Sequence, residues 1–146
     1  GVTGNYWDYP TSSNSVPSND LITPDPGNNA NFYSNHTGTY HYTIGSPYYR
    51  TEVGEFENSD SPYGTFDQGG NVWERNEAVI GSYRGLRGGS FYIYDFLLLA
   101  SYRYSYGPTN EGYSVGFRVS EVPEPATMAL LALGCVFLVG RVRRQA

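Results

Sequence analysis

The segment "DQGGNVWE", residues 67–74, places two carboxylates on either side of a glycine pair. Asp67 and Glu74 carry hard oxygen donors, and a turn through Gly69 and Gly70 can point main-chain carbonyls to the same side. A mixed set of carboxylate and carbonyl oxygens suits calcium. The alternative is a glycine-rich turn with a solvated aspartate and a glutamate paired to an arginine. Other chemistry-bearing residues are sparse. His36 and His41 lie in a polar, tyrosine-rich stretch and read as surface residues rather than as metal ligands or a general base. The single cysteine, Cys135, excludes a disulfide scaffold and a cysteine-ligated zinc site. "RGLRGGSF", residues 84–91, lacks the Gly-Lys-Ser/Thr ending and the following helix of a phosphate loop. Arg84 and Arg87 are instead expected to pair with carboxylates.

The elements that must position these groups are short. The chain of 146 residues fits one domain and a tail. It contains 18 glycines, 9 prolines and 15 tyrosines, and all nine basic residues are arginines. Setting aside the three arginines and two glutamates of residues 121–146 leaves six arginines against twelve acidic residues, a net charge of −6. An acidic body without a basic stripe argues against nucleic acid as a partner. Residues 1–30 are rich in Ser, Asn, Pro, Gly and Asp and read as loop, anchored by Tyr6, Trp7 and Tyr9. "YHYTI" reads as a short strand. "YRGLRGGSFYIY" reads as a turn between two strand-like pieces, and "DFLLLASYRYSY" as strand or helical turn. "YSVGFRVSEV" is the cleanest strand, alternating around Val115, Phe117 and Val119. No amphipathic helix precedes Pro123, so the body is expected to combine short strands with long packed loops. Most of the tyrosines are expected to fill the core and pack between strands, with hydroxyls reaching the surface.

After Val122 the character changes. Pro123 and Pro125 end the domain. Residues 126–140 are almost wholly apolar and with Val142 reach the short end of a bilayer-spanning helix, at about 126–142, closed by the cluster Arg141, Arg143 and Arg144. Arginines favour the cytoplasmic side, so the body would face outward. "VPEPATMALLALGCVFLVGRVRRQA" resembles the PEP-CTERM sorting signal of bacteria: Pro123-Glu124-Pro125, a short transmembrane helix and the arginine cluster, in that order. The resemblance implies processing by an exosortase, passage through the inner membrane on the C-terminal helix, and delivery to the cell surface or an extracellular matrix.

The body carries a second resemblance. "SPYGTFDQGGNVWERNE", "RGLRGGSF" and "ASYRYSYGPTNEGYSVGFRV" look like the C-terminal half of the formylglycine-generating enzyme, or sulfatase-modifying factor, family; "YWDYPT" and "NNANFY" agree more loosely. The resemblance implies an α+β, loop-rich, C-type-lectin-like fold with short strands over residues 1–120, N-terminally incomplete, followed by a sorting tail over 121–146 with one transmembrane helix. It implies calcium at Asp67, Gly70, Val72 and Glu74, the middle two through main-chain oxygens, and a second site using Asn31 and the carbonyl of Phe32. The copper-binding cysteine pair of the oxygen-dependent members would fall at Asp95 and Ala100, so that chemistry is not expected here. Arg75 and Phe91 stand where the family usually has tryptophan. Tyr92, Tyr94, Tyr102, Tyr104 and Tyr106 would flank the family's substrate groove, their i, i+2 spacing setting each group on one strand face. Three functions remain open: a calcium-stabilised module binding exopolysaccharide or a surface protein, an oxidoreductase of different chemistry, and a purely structural surface protein.

Overall fold

The computed structural model describes residues 6–34 and 40–119. Its order is β1 (Tyr33–Ser34), β2 (His41–Tyr42), β3 (Trp73–Ile80), β4 (Tyr83–Arg87), one 3-10 helix (Asp95–Leu98), β5 (Tyr104–Tyr106) and β6 (Val115–Phe117). The architecture is strand-rich, with one short helix among the described residues and long loops between elements. β1 and β2 pair antiparallel. The other four strands form a mixed sheet in the order β5-β4-β3-β6, with β6 parallel to β3.

The longest strand, β3, follows directly on the glycine pair of residues 69–70. Its charged sequence WERNEAVI hides it, because only Trp73 points into the core and the far end is solvated. A two-residue turn at Gly81-Ser82 joins it to β4, with Ile80 opposite Tyr83. The register slips between Arg75 and Val79. There the Asn76 side chain accepts a hydrogen bond from the Ala78 amide at 3.0 Å, replacing a ladder partner.

Other expectations fare unevenly. "YHYTI" supplies β2 and "YRGLR" supplies β4, but residues 91–94 form a turn rather than a second strand. "DFLLLASYRYSY" holds both readings, a 3-10 turn and then β5. In the last strand only Val115 packs on the core. Phe117 is exposed and Val119 lies beyond the strand in solvent, because β6 is an edge strand with one covered face.

The core is small: Tyr9, Ala30, Phe32, Trp73, Leu86, Ile93 and Leu98. Phe32, Leu86 and Leu98 are almost wholly buried, each contributing about 1.5–3 kcal/mol of transfer free energy. Trp73 lies against the ring of Tyr104 at 5.5 Å and that of Tyr102 at 6.2 Å. The expectation that the core holds most tyrosines does not stand. Tyr9 alone is buried and ten of the fifteen are exposed, since loop packing leaves the rings no interior to enter.

Polar side chains do much of the remaining joining. The Asn19 amide donates to the carbonyls of Phe32 at 3.2 Å and His41 at 3.1 Å, tying an N-terminal loop to β1 and β2. Asn31 donates to the Tyr49 carbonyl at 3.0 Å, and Asn71 to the Thr51 carbonyl at 3.2 Å. Buried main-chain carbonyls in loops have no ladder to satisfy them, and asparagine amides supply the donors.

No helix among the described residues is long and apolar enough to cross a membrane. The expected span at about 126–142, with Cys135 and the arginine cluster, lies outside the described residues, as does His36.

Candidate cation site and aromatic surface

The turn before β3 is locked in an uncommon conformation. Asp67 and Asn71 have φ of 55° and 58°, and Gly70 has φ of 77°. Three left-handed residues within five positions mark a loop whose shape is fixed by its surroundings. Gly70 donates to the Gly88 carbonyl at 2.7 Å, and the Asn71 amide to the Asn31 carbonyl at 2.8 Å. Gly70 and Asn31 form a parallel bridge. The two residue sets assigned to calcium, 67–74 and 31–32, therefore lie on paired backbone.

Both carboxylates of the turn have protein partners. Asp67 Oδ2 accepts from the Gly54 amide at 2.7 Å. Glu74 Oε1 accepts from Arg118 Nε at 2.8 Å and also from Arg118 Nη2. The same Nη2 donates to the Asp67 carbonyl at 3.1 Å. A guanidinium thus bridges the first and last residues of the candidate set, so positive charge is accommodated there. In the second set, the Phe32 carbonyl takes the Asn19 amide. Asn31 Oδ1 is buried and accepts no hydrogen bond among the described residues. Among the described residues no cluster of three His, Cys, Asp or Glu side chains forms. A cation at residues 67–74 would therefore depend on main-chain oxygens as well as on Asp67 and Glu74.

The arginines of "RGLRGGSF" pair differently from expectation. Arg84 Nη1 donates to the Glu77 carbonyl at 3.3 Å. Arg87 Nη1 donates to the carbonyls of Ala100 at 3.0 Å and Tyr102 at 2.7 Å. Irregular segments expose carbonyls that a five-donor guanidinium can gather. Arg75 does likewise, donating to Pro108, Gly107 and Asn110 and so holding the loop that leads to β6.

Asp95 opens the 3-10 helix, and Ala100 follows it with its amide on the Asp8 carbonyl at 2.7 Å. His41 Nε2 stands 3.4 Å from an Asp20 carboxylate oxygen at the surface. Burial, with repulsion from the Asp95 and Asp8 carboxylates, pushes the Tyr9 phenol above its ordinary value, which keeps that hydroxyl neutral. The tyrosines assigned to a groove fall into two groups. Tyr102 and Tyr104 pack on Trp73. Tyr92 meets Phe91 and Tyr113, while Tyr94 meets Tyr33, Tyr40 and Phe96. Sequence reasoning passed over Tyr33, Tyr40, Tyr42, Tyr49 and Tyr113, which complete that second surface. Their common signal, tyrosines concentrated in polar loop sequence, was visible at residues 33–49.

The profile of the sulfatase-modifying factor enzyme 1-like domain matches residues 4–122. The chain belongs to this family. A PEP-CTERM protein-sorting motif matches residues 121–144. A comparison with curated proteins gives no match. The sorting motif indicates export through the membrane to the cell surface or extracellular space, with processing by exosortase-type machinery. In this sulfatase-modifying-factor domain, Asp95 and Ala100 occupy the positions that the resemblance gives to the cysteine pair.

Proposed function

We propose that this sulfatase-modifying-factor domain is a calcium-stabilised binding module, displayed outside the cell by its sorting tail. The observation that supports the reading is the locked turn at residues 67–74, which brings the Asp67 carbonyl and the Glu74 carboxylate within reach of one cationic group, at present Arg118, the pairing that the alternative reading also expects. Asp67, Glu74 and the carbonyls of Gly70 and Val72 form a hard-oxygen donor set that fits calcium. Bound there, calcium would neutralise the two carboxylates and fix the loop joining residues 31–32 to the sheet. Asn31 and Phe32 are the donors proposed for a second ion. The C-type-lectin-like arrangement implied by the family belongs to the same proposal. With aspartate and alanine in place of the cysteine pair, the domain holds a surface instead of a thiolate-bound copper.

Melting the full chain in detergent with calcium or with EDTA tests this. At calcium one hundred times its Kd, linkage gives about 2.7 kcal/mol, a rise of several degrees in Tm. Arg118→Gln removes the competing cation from Glu74. Its melting temperature should fall in EDTA and respond more to calcium than the parent chain does. An unchanged Tm in both proteins would sink the metal reading. Oxygen consumption on a thiol peptide, with copper or iron retained through purification, would favour the oxidoreductase reading.

A further inference from the structure

The aromatic surface extends beyond ordinary packing. Phe96 lies parallel to Tyr94, with centroids 6.0 Å apart and planes 14° apart. Tyr94 meets Tyr33 at 5.8 Å and Tyr40 at 5.7 Å. The path continues from Tyr33 to Tyr42 at 4.7 Å, and from Tyr42 to Tyr49 at 4.9 Å. Tyr49 stacks on Phe91, which leads to Tyr92 and Tyr113. Nine rings form one unbroken series, no link exceeding 6.0 Å. Six of the nine rings are exposed, among them Phe96 at 52%, Tyr40 at 53% and Tyr113 at 70%, while Tyr33 and Tyr49 are half-buried and Phe91 is buried beneath the rings it links. Single exposed rings need no explanation, but a contiguous exposed aromatic surface marks an interaction site.

We infer that this track binds a neutral polysaccharide chain, with the cavity between Tyr33, Tyr40, Tyr94 and Phe96 seating one sugar unit. The inference rests on reading the domain as a binding module and names the ligand of that module. The cavity holds about 320 Å³ and is also lined by Val16, Ser34 and Asp95. That volume sits at the lower end of small-ligand pockets, roughly 300–1,000 Å³. Flat rings receive the C–H faces of sugars, and phenol groups at their edges pair with hydroxyls. Asp95 accepts no hydrogen bond among the described residues, so its carboxylate can take sugar hydroxyls.

Charge narrows the ligand further. Among the described residues Asp95 is the only charged one lining the cavity, so a uronate or phosphate polymer would meet a like charge there. At the far end, Arg50 is engaged with the Tyr113 carbonyl at 2.8 Å. The sorting motif also carries the domain to a space outside the cell, where polysaccharide is encountered.

The test is retardation of the full chain, in a sugar-free zwitterionic detergent, on native gels containing dextran, soluble β-glucan, galactomannan or alginate. Retardation by at least one neutral polymer is expected, weakened tenfold or more in Tyr94→Ala and in Tyr40→Ala. Tyr63→Ala, an exposed ring outside the series, should behave as the parent. Each variant is melted with and without calcium, which separates the two readings. Neutral-polymer binding in a calcium-insensitive protein would leave the track standing and remove the metal. Retardation by alginate alone, by none of the polymers, or equal loss in Tyr63→Ala would overturn the inference. If Tyr94→Ala fails to fold, Tyr40→Ala decides.

Discussion

Gly70→Ala is expected to lower the Tm by about 10 °C or more, or to prevent folding. The alanine Cβ would sit 2.2 Å from the Asn31 carbonyl oxygen and 2.8 Å from its carbon, both fixed main-chain atoms. Gly70 cannot retreat, because its amide is tied to Gly88 and its neighbour Asn71 is tied to Asn31. Left-handed backbone costs a residue with a Cβ about 1–2 kcal/mol, and overpacking adds about 1–3 kcal/mol. A domain of this size loses a few degrees per kcal/mol. Gly54 separates the two causes, since it also has positive φ, 81°, but no atom lies within 4 Å of its added Cβ. Gly54→Ala should cost only the conformational part. Equal melting temperatures for the two variants would refute the close-packing argument. Loss of calcium response in Gly70→Ala would further join this glycine to the candidate cation turn.

The second large effect is expected at Asp25, a buried carboxylate remote from the turn in sequence. Its Oδ1 accepts from the Gly27 amide at 2.9 Å and the Asn29 amide group at 2.5 Å. Its Oδ2 accepts from the Asn58 amide at 2.8 Å and the Ser59 hydroxyl at 2.9 Å. Burial pushes its pKa up, but the hydrogen bonds from Gly27, Asn58, Ser59 and Asn29 together outweigh it and hold the group below the usual carboxylate range. A depressed folded pKa means stability that is fully present above the unfolded value, near 3.9. That stability is lost as pH falls through the unfolded value and on to the folded one. Asp25→Asn turns an amide toward donors and should cost about 2–4 kcal/mol at neutral pH. It should also flatten the fall in Tm below about pH 4, where the unfolded carboxyl takes up its proton before the folded one. A variant that melts like the parent at pH 7, or keeps the same acid slope, would count against Asp25 as the knot of these loops.

Where sequence reasoning worked, the residues carried their own geometry. The turn before β3 could be read from the glycine pair at residues 69–70, and Gly70 there adopts a φ of 77°. The loop-rich character followed from proline and glycine content, and "YHYTI" and "YRGLR" followed from alternation. The failures share a physical cause, because long-range partners decide them. β3 is charged along most of its length and becomes a strand through its hairpin with β4 and its parallel pairing with β6. Tyr92 and Tyr94 share period-two spacing but occupy a turn. Asn19, Asn31 and Asn71 look like ordinary loop residues, and only the folded chain shows the carbonyls they satisfy. Arg84 and Arg87 had carboxylates to choose from and bind carbonyls, because irregular backbone offers them at closer range.

The way the interior is assembled also shapes the domain's response to temperature. Apolar surface raises the heat capacity of unfolding and polar surface lowers it. Seven residues form the main hydrophobic cluster, while Asn19, Asp25, Asn29, Asn31, Thr51, Ser59 and Asn71 are as deeply buried. Among the described residues the interior is therefore polar, and calorimetry of the domain is expected to show a small heat-capacity increment for its length. A correspondingly shallow free-energy curve, with stability changing little between cold and warm surroundings, is the expected result.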